Sequence, residues 1–481
     1  MQNSKKMRLF YKPNKTLAIL LVIFTITLTS SCKKWLDVQP EDKFTKDQIY
    51  RTPEGVAEVI NGFYQKLGNE SLYGGNLSLT VLDVLAQRYR ISSTTNPYYV
   101  FDSFSYGSES SQKTFNNIWT QMYATIANIN DLTANLPKID NGLTSAQKNQ
   151  YLGEAIGLRA FIHFDLLRMF GQPYNESTAD FLAIPYYREL STTISDFSTN
   201  KEVVQFILED IAEAEALLAD DPIRGGKSTD NYNNNRFNYY AVLALKARVY
   251  QWIDDKPNAL SAAKSLIDAQ NVFPWVTHSA ITITGKDTDR KFFSENIFSV
   301  FNPKLNELYV SRFDGNLLDG DILATGADNA ISKVYENYEG DYRYTYLWPY
   351  STTGVGYRTF IKYADISNKS NISRFMVPVI RISEMYYIAA ESTEDPLEAL
   401  DYLNIVRRHR NLLVDISNPS TLRNELTKEY MKEFYGEGQL FYYYKRIGST
   451  SILSMTNGGN QLAVNESTFI IPIPQEEFDA R

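Results

Sequence analysis

The stretch YLGEAIGLRAFIHFDLLRMFGQP, residues 151–173, constrains the fold of this chain more than any other. At helical spacing Ala155, Leu158, Ile162, Leu166 and Met169 fall on one side, and Ile156, Ala160, Phe164 and Leu167 on another. A surface helix carries one apolar stripe, whereas a helix apolar nearly all round must be covered on several sides. The stretch therefore predicts a helix inside a layered helical array. Glu154 is placed toward the expected helix start and Arg168 toward its end, as the macrodipole favours. Gly171 is the expected left-handed C-terminal cap, and Pro173 blocks continuation.

Further helices are expected around this one. Thr52 and Pro53 read as cap and first residue of a helix running to about Leu67, with Val56, Ile60, Phe63 and Leu67 on its inner face. Residues 115–136 form the next, followed by a helix over 146–170 capped by Ser145. A second pair spans 201–219 and 237–253. Pro257 opens a third helix to about Ala269, a further one covers 378–392, and Asp395-Pro396 opens another to about Arg410. An amphipathic helix opens the stretch 420–446, ahead of GEGQLFYYYKR. Pairs of roughly 34 residues suggest tetratricopeptide-like units. Their consensus is poorly kept and long insertions separate them, so an irregular helical domain is the alternative.

Two stretches break the helical period. Residues 68–114 hold a short helix around Leu77–Gln87 and many rings (Tyr89, Tyr98, Tyr99, Phe101, Phe104, Tyr106), which favours a functional loop over disorder. Residues 271–375 carry turn residues, a short strand at Ile297–Phe301, and the cluster DYRYTYLWPY at 341–350. Were that cluster extended, Tyr342, Tyr344, Tyr346 and Trp348 would share one face. They would then either line a binding surface or bury an edge strand in the core.

The first 31 residues contain Lys5, Lys6, Arg8, Lys12 and Lys15 and no acid, followed by an apolar run from Leu17 to Leu28 and then Thr29-Ser30-Ser31-Cys32. These are the parts of a secretory signal, too short for a membrane span. Cys32 is the only cysteine in 481 residues, and it stands where lipidation chemistry needs one. It is expected to be the acylated first residue of a mature lipoprotein; an ordinary signal cleaved nearby, leaving a free thiol, is the alternative. The net charge is −8, and removing the five basic leader residues makes it −13. So acidic a chain is a poor partner for nucleic acid. With 34 Tyr and 26 Phe, some rings are expected on a surface that binds an amphipathic ligand.

Several phrases occur together in order: Cys32 with Leu36, Asp37 and Pro40; GEAIGLRAF followed by FGQP; ALKARVY at 244–250; VPVIRISEMYYIAAE at 377–391; ALDYLNIVRRHR at 399–410; YMKEFYGEGQLFYYYKR at 430–446; and IPIPQEEF at 471–478. In this the chain resembles the SusD/RagB family of nutrient-uptake lipoproteins from Bacteroidetes. It departs at Phe441–Arg446, where an aspartate usual in the family is missing. The resemblance implies a mostly α fold: tetratricopeptide-like helical pairs in an α-α superhelix, with a loop-rich irregular half. It also implies an oligosaccharide or peptide ligand and a TonB-dependent, SusC-like transporter as partner in the outer membrane. The expected organisation is a signal peptide at 1–31, an N-terminal helical part at 32–270, a loop-rich ligand-binding insertion at 271–375, and a C-terminal part at 376–481.

Catalytic constellations are lacking in the sequence. His163, His278 and His409 have no metal-binding spacing, and no phosphate loop, dinucleotide fingerprint or nucleophile elbow occurs. His163 reads as a hydrogen-bonded interior residue. Glu433 and Glu437 are the one imaginable glycosidase pair, which would make the chain a lipid-anchored helical hydrolase; Arg381 and Glu384 read as an i,i+3 ion pair. Binding without catalysis is the leading expectation, and a purely structural scaffold the third. Flat rings stack on sugar faces while amides and guanidiniums take hydroxyls. Loop placement points to Tyr98, Tyr99, Tyr346 and Trp348 for stacking and to Arg88, Asn96 and Arg343 for polar contacts. No cofactor is expected; calcium is left open.

Overall fold

The structure, a computed structural model, describes residues 49–191, 193–225, 233–283, 287–479 and 481. The leader, Cys32 and the phrase through Pro40 lie outside the described residues. Residues 50–481 form one compact unit. Among the described residues ten helices carry the frame: α1 Pro53–Leu67, α2 Glu109–Asn135, α3 Ser145–Phe170, α4 Asn200–Leu217, α5 Tyr239–Trp252, α6 Lys256–Asp268, α7 Ile382–Ser392, α8 Pro396–His409, α9 Leu422–Glu433 and α10 Gln439–Arg446. Packing follows chain order, α2 on α3 and so on to α7 on α8. The fold is thus mostly helical, with little strand.

Helix α3 is enclosed as its apolar girth requires: every residue from Gly153 to Phe170 is buried. Its start is a capping box of Thr144 and Gln147, so Thr144 and not Ser145 is the cap. Glu154 then falls in the third turn, beyond the reach of the dipole. It is held instead by the Tyr64 hydroxyl at 2.9 Å and by Arg236. The other end also departs from expectation. Gly171 is extended (φ −76°, ψ 169°) rather than left-handed, because the terminal carbonyls are capped from outside. The buried Lys445 ammonium of α10 donates to the carbonyls of Arg168 (2.7 Å), Met169 (3.1 Å) and Gly171 (2.7 Å), one proton for each. Glycine is still required at 171, since a Cβ would lie 2.8 Å from the Leu167 carbonyl oxygen.

Between α6 and α7 the chain leaves the frame for more than a hundred residues. Ahead of it, the short strands β1 (Leu182–Ile184) and β2 (Ser198–Thr199) pair before α4. The excursion is gathered by a two-stranded antiparallel ribbon, β3 (Asn296–Phe301) with β4 (Met376–Arg381). The strand at 296–301 meets the sequence expectation. Residues 378–381, expected as helix, are strand, and α7 begins only at Ile382, because the β-branched run Val379-Ile380 lies in a segment that pairs with β3. Phe298 of β3 packs among Tyr64, Phe161 and Phe237, fixing the ribbon to the helical core. Helix formation over 420–446 is interrupted at 434–438, where Gly438 is left-handed (φ +70°) and too close to the Leu77 carbonyl for any Cβ. Asp83 accepts both the Gly436 and Gly438 amides there.

The frame and the excursion are riveted by buried ions. Glu433 of α9 accepts from Arg343 (2.8 Å), Arg381 (2.5 Å) and Arg410 (2.6 Å), and all four side chains are fully buried. Arg343 also grips Asp341 and Glu429, while Arg381 and Lys362 hold Glu437. Arg381 therefore does not pair with Glu384; that carboxylate takes Arg248 of α5 instead. Burial by itself would raise the Glu433 pKa, but Arg410 and Arg381 outweigh it and hold the carboxyl well below its usual range.

Candidate ligand-binding face

Three segments far apart in sequence meet on one surface: 88–99, 312–326 and 349–358. The Arg90 amide donates to the Ala324 carbonyl (2.7 Å), and the Asn96 side-chain amide to the Gly320 carbonyl (2.9 Å). The Val355 amide donates to the Gly315 carbonyl (2.9 Å). Ile322, Ala324 and Tyr357 form a small apolar cluster beneath, with Leu317 and Val355 against it. Arg90 donates to both oxygens of Asp319 at 2.6 Å, and the Tyr357 hydroxyl adds a third bond at 2.7 Å. Both members of this ion pair stay partly open to solvent.

The ring most available on this face is Tyr350, 58% exposed. The Arg358 guanidinium lies 4.5 Å from its centroid and 4.3 Å from that of Tyr344, and donates to Glu339. Tyr99 is the second, 38% exposed, at the start of the short helix Tyr99–Asp102. Ser92, Thr94, Thr95, Asn316, Thr352 and Thr353 are exposed within the same three segments. Flat rings beside an open ion pair and many hydroxyls suit a ligand with apolar faces and polar edges.

Other expected site residues are elsewhere. Residues 342–347 are helical, not extended, so the four rings do not share a face. Trp348 is fully buried, with Phe360 and Tyr435 each 4.9 Å away centroid to centroid. Arg343 is consumed by the ion network. Arg88 is buried over the Tyr435 ring, 3.3 Å from its centroid. Tyr98 and Asn96 are also buried: Tyr98 accepts from Arg312 (3.1 Å), and Asn96 holds the loop together. These five cannot touch a ligand, because their contact surfaces are spent on protein. Tyr346 is half-buried against Tyr342, on the helix that meets His278–Thr282. The sequence reading missed Arg90, Asp319, Tyr350 and Tyr357. For Tyr350 a signal existed, the run STTGVG that follows it, which marks an exposed loop.

A cleft of about 940 Å³ between α1 and residues 301–308 offers the amides of Asn61, Gln65, Asn69 and Asn302. Its rings are Tyr64, buried, and Phe301, half-buried, so it lacks an open stacking platform. Glu433 and Glu437 are enclosed by arginines and lysine, leaving no room for a glycosidic bond between them. His163 is interior: its Nε2 accepts from the Tyr187 amide, so Nδ1–H donates to the Arg159 carbonyl, and burial pushes its pKa down to about 3. Among the described residues no cluster of three or more metal-ligating side chains occurs, and no helix is long and apolar enough to cross a membrane.

Comparison with known proteins agrees with this architecture. A family model described as "Starch-binding associating with outer membrane" matches residues 34–251, and one described as "SusD family" matches 273–480. Two SusD-like proteins of Formosa agariphila are 24% and 23% identical, covering 92% and 97% of this chain and 93% and 95% of their own. A SusD superfamily protein of Bacteroides thetaiotaomicron superposes with a TM-score of 0.69 at 21% identity, over 89% of this chain and 98% of its own. A SusD-like carbohydrate binding protein of Bacteroides vulgatus gives 0.70 at 18% identity, over 89% and 96%. Two family models in tandem over most of the sequence, on a helical frame with one long excursion, lead to one conclusion: the chain belongs to the SusD/RagB family.

Proposed function

We propose that this protein captures oligosaccharides on the loop face and passes them to a TonB-dependent, SusC-like transporter, held at the outer membrane by a lipid on Cys32. The observation that carries the reading is the exposed Tyr350 ring, bridged to Arg358, whose neighbour Tyr357 donates to the solvent-open Arg90–Asp319 pair. The matched description, starch-binding and associated with the outer membrane, supports both ligand class and location. A structural neighbour is itself named a carbohydrate binding protein. Capture proceeds without bond cleavage, since the one carboxylate pair considered for hydrolysis is sealed in ion pairs. The excursion between α6 and α7 supplies two of the three binding segments, and the N-terminal part supplies the third. Native gels containing polysaccharides test this: the wild-type chain should be retarded by at least one glycan, and Tyr350→Ala should be retarded less. Retardation unchanged by Tyr350→Ala and by Tyr99→Ala would move the site elsewhere, and binding of peptides alone would replace the ligand class.

A further inference from the structure

The charge arrangement of the loop face bears on which glycans it would accept. Within its three segments the described cations are Arg88, Arg90, Arg312 and Arg358; Arg88 is buried over the Tyr435 ring, and the other three are each engaged. Arg90 is bidentate on Asp319. Arg358 donates to the Trp348 carbonyl and to Glu339, and lies between the rings of Tyr344 and Tyr350. Arg312 is half-buried, its Nε on the Tyr98 hydroxyl and its Nη1 on the Ser311 carbonyl. The same segments carry three carboxylates, Asp314, Asp319 and Asp321, and Glu339 joins them from outside through Arg358. Asp319, Asp321 and Glu339 are exposed. A sulfate or uronate brought here would find Arg90 and Arg358 already paired to carboxylates and would meet the exposed Asp319, Asp321 and Glu339. An uncharged sugar meets no such penalty, because its hydroxyls can both donate to Asp319 and accept from Arg90.

We infer that the loop face selects uncharged oligosaccharides and excludes sulfated and uronic-acid glycans. The inference rests on the glycan-capture reading above. It also explains the Arg90–Asp319 pair: the carboxylate holds the guanidinium in place for hydroxyls while cancelling the charge that would draw anions.

Native gels of the purified full-length chain, cast with uncharged polysaccharides (amylopectin, laminarin, xylan, galactomannan) or charged ones (alginate, polygalacturonate, carrageenan, chondroitin sulfate), separate the outcomes. The expected result is retardation by an uncharged member and at least about tenfold weaker retention by every charged one. Asp319→Asn, which releases Arg90, and separately Asp321→Lys, should each raise retention by charged glycans. For the wild type, added salt should narrow the difference. Retardation by charged glycans alone, or equally by both sets, overturns the selectivity and leaves glycan capture standing. Retardation by neither set overturns both.

Discussion

Arg410 donates to both oxygens of Glu295, at 2.9 and 2.6 Å, joining residues 115 positions apart in the chain. Arg410 follows the last residue of α8 and Glu295 precedes β3, so this bond ties the frame to the entrance of the excursion that carries most of the loop face. Both side chains are fully buried. Glu295→Gln should therefore cost about 3–5 kcal/mol, the usual result of stranding one buried charge. A urea midpoint equal to wild type would show that the remaining arginine contacts of Glu433 suffice.

Lys445→Met should be damaging for a different reason. The thioether fills a similar volume but leaves the Arg168 and Gly171 carbonyls without donors and the Met169 carbonyl with only the Ile471 amide, a loss of about 2 kcal/mol or more. Amide exchange near 167–171 should accelerate together with the loss in denaturation midpoint. Destabilisation with unchanged exchange there would place the effect in α10 instead.

Trp348→Ala and Tyr350→Ala should behave oppositely although two residues apart. Removing the fully buried indole from its packing on Phe360 and Tyr435 opens a cavity worth about 3–5 kcal/mol. Removing the exposed Tyr350 ring should change stability by no more than about 0.5 kcal/mol and weaken glycan retention about three- to tenfold. Thermal melts and affinity gels on the same two variants check both halves.

Acid should unfold the protein late and steeply. Burial would raise the Glu429 pKa, yet Arg343, Lys432 and Arg407 depress it from 4.5 to about 2, and Glu433 is depressed further. Folded-state values below the unfolded ones stabilise the native chain above pH 4.5, and that contribution is lost as pH falls toward 2. Between about pH 6.5 and 4.5 the terms oppose. His163 and His409, pushed down mainly by burial to about 3 and 4, withdraw stability as the unfolded histidines take protons. Asp83, Asp102 and Asp289, raised by burial to about 7, 6 and 6, return it. The denaturation midpoint should be nearly level from pH 6.5 to 4.5 and fall below that. A decline beginning at 6.5 would show the histidines prevailing.

Much of the frame was legible because it is written in local terms. Thr52-Pro53, Asp395-Pro396 and the all-round apolar girth of 151–170 specify helices and their burial through spacing and capping, which act over a few residues. The ordered family phrases fixed the lineage for the same reason. What failed were inferences that needed a partner from elsewhere. Gly171 lost its left-handed cap to Lys445, 274 residues on, and 378–381 became strand because β3 was there to pair. Ring density in 88–102 and 341–350 was read as a surface, yet Tyr98 and Trp348 went inward while Tyr350 stayed out. Composition records how many rings a loop holds, and only the packing of other segments against it decides which side of each ring meets water. The same holds for charge: Arg90 and Asp319 are ordinary alone, and stand 229 positions apart, so the chain between had to fold before they met.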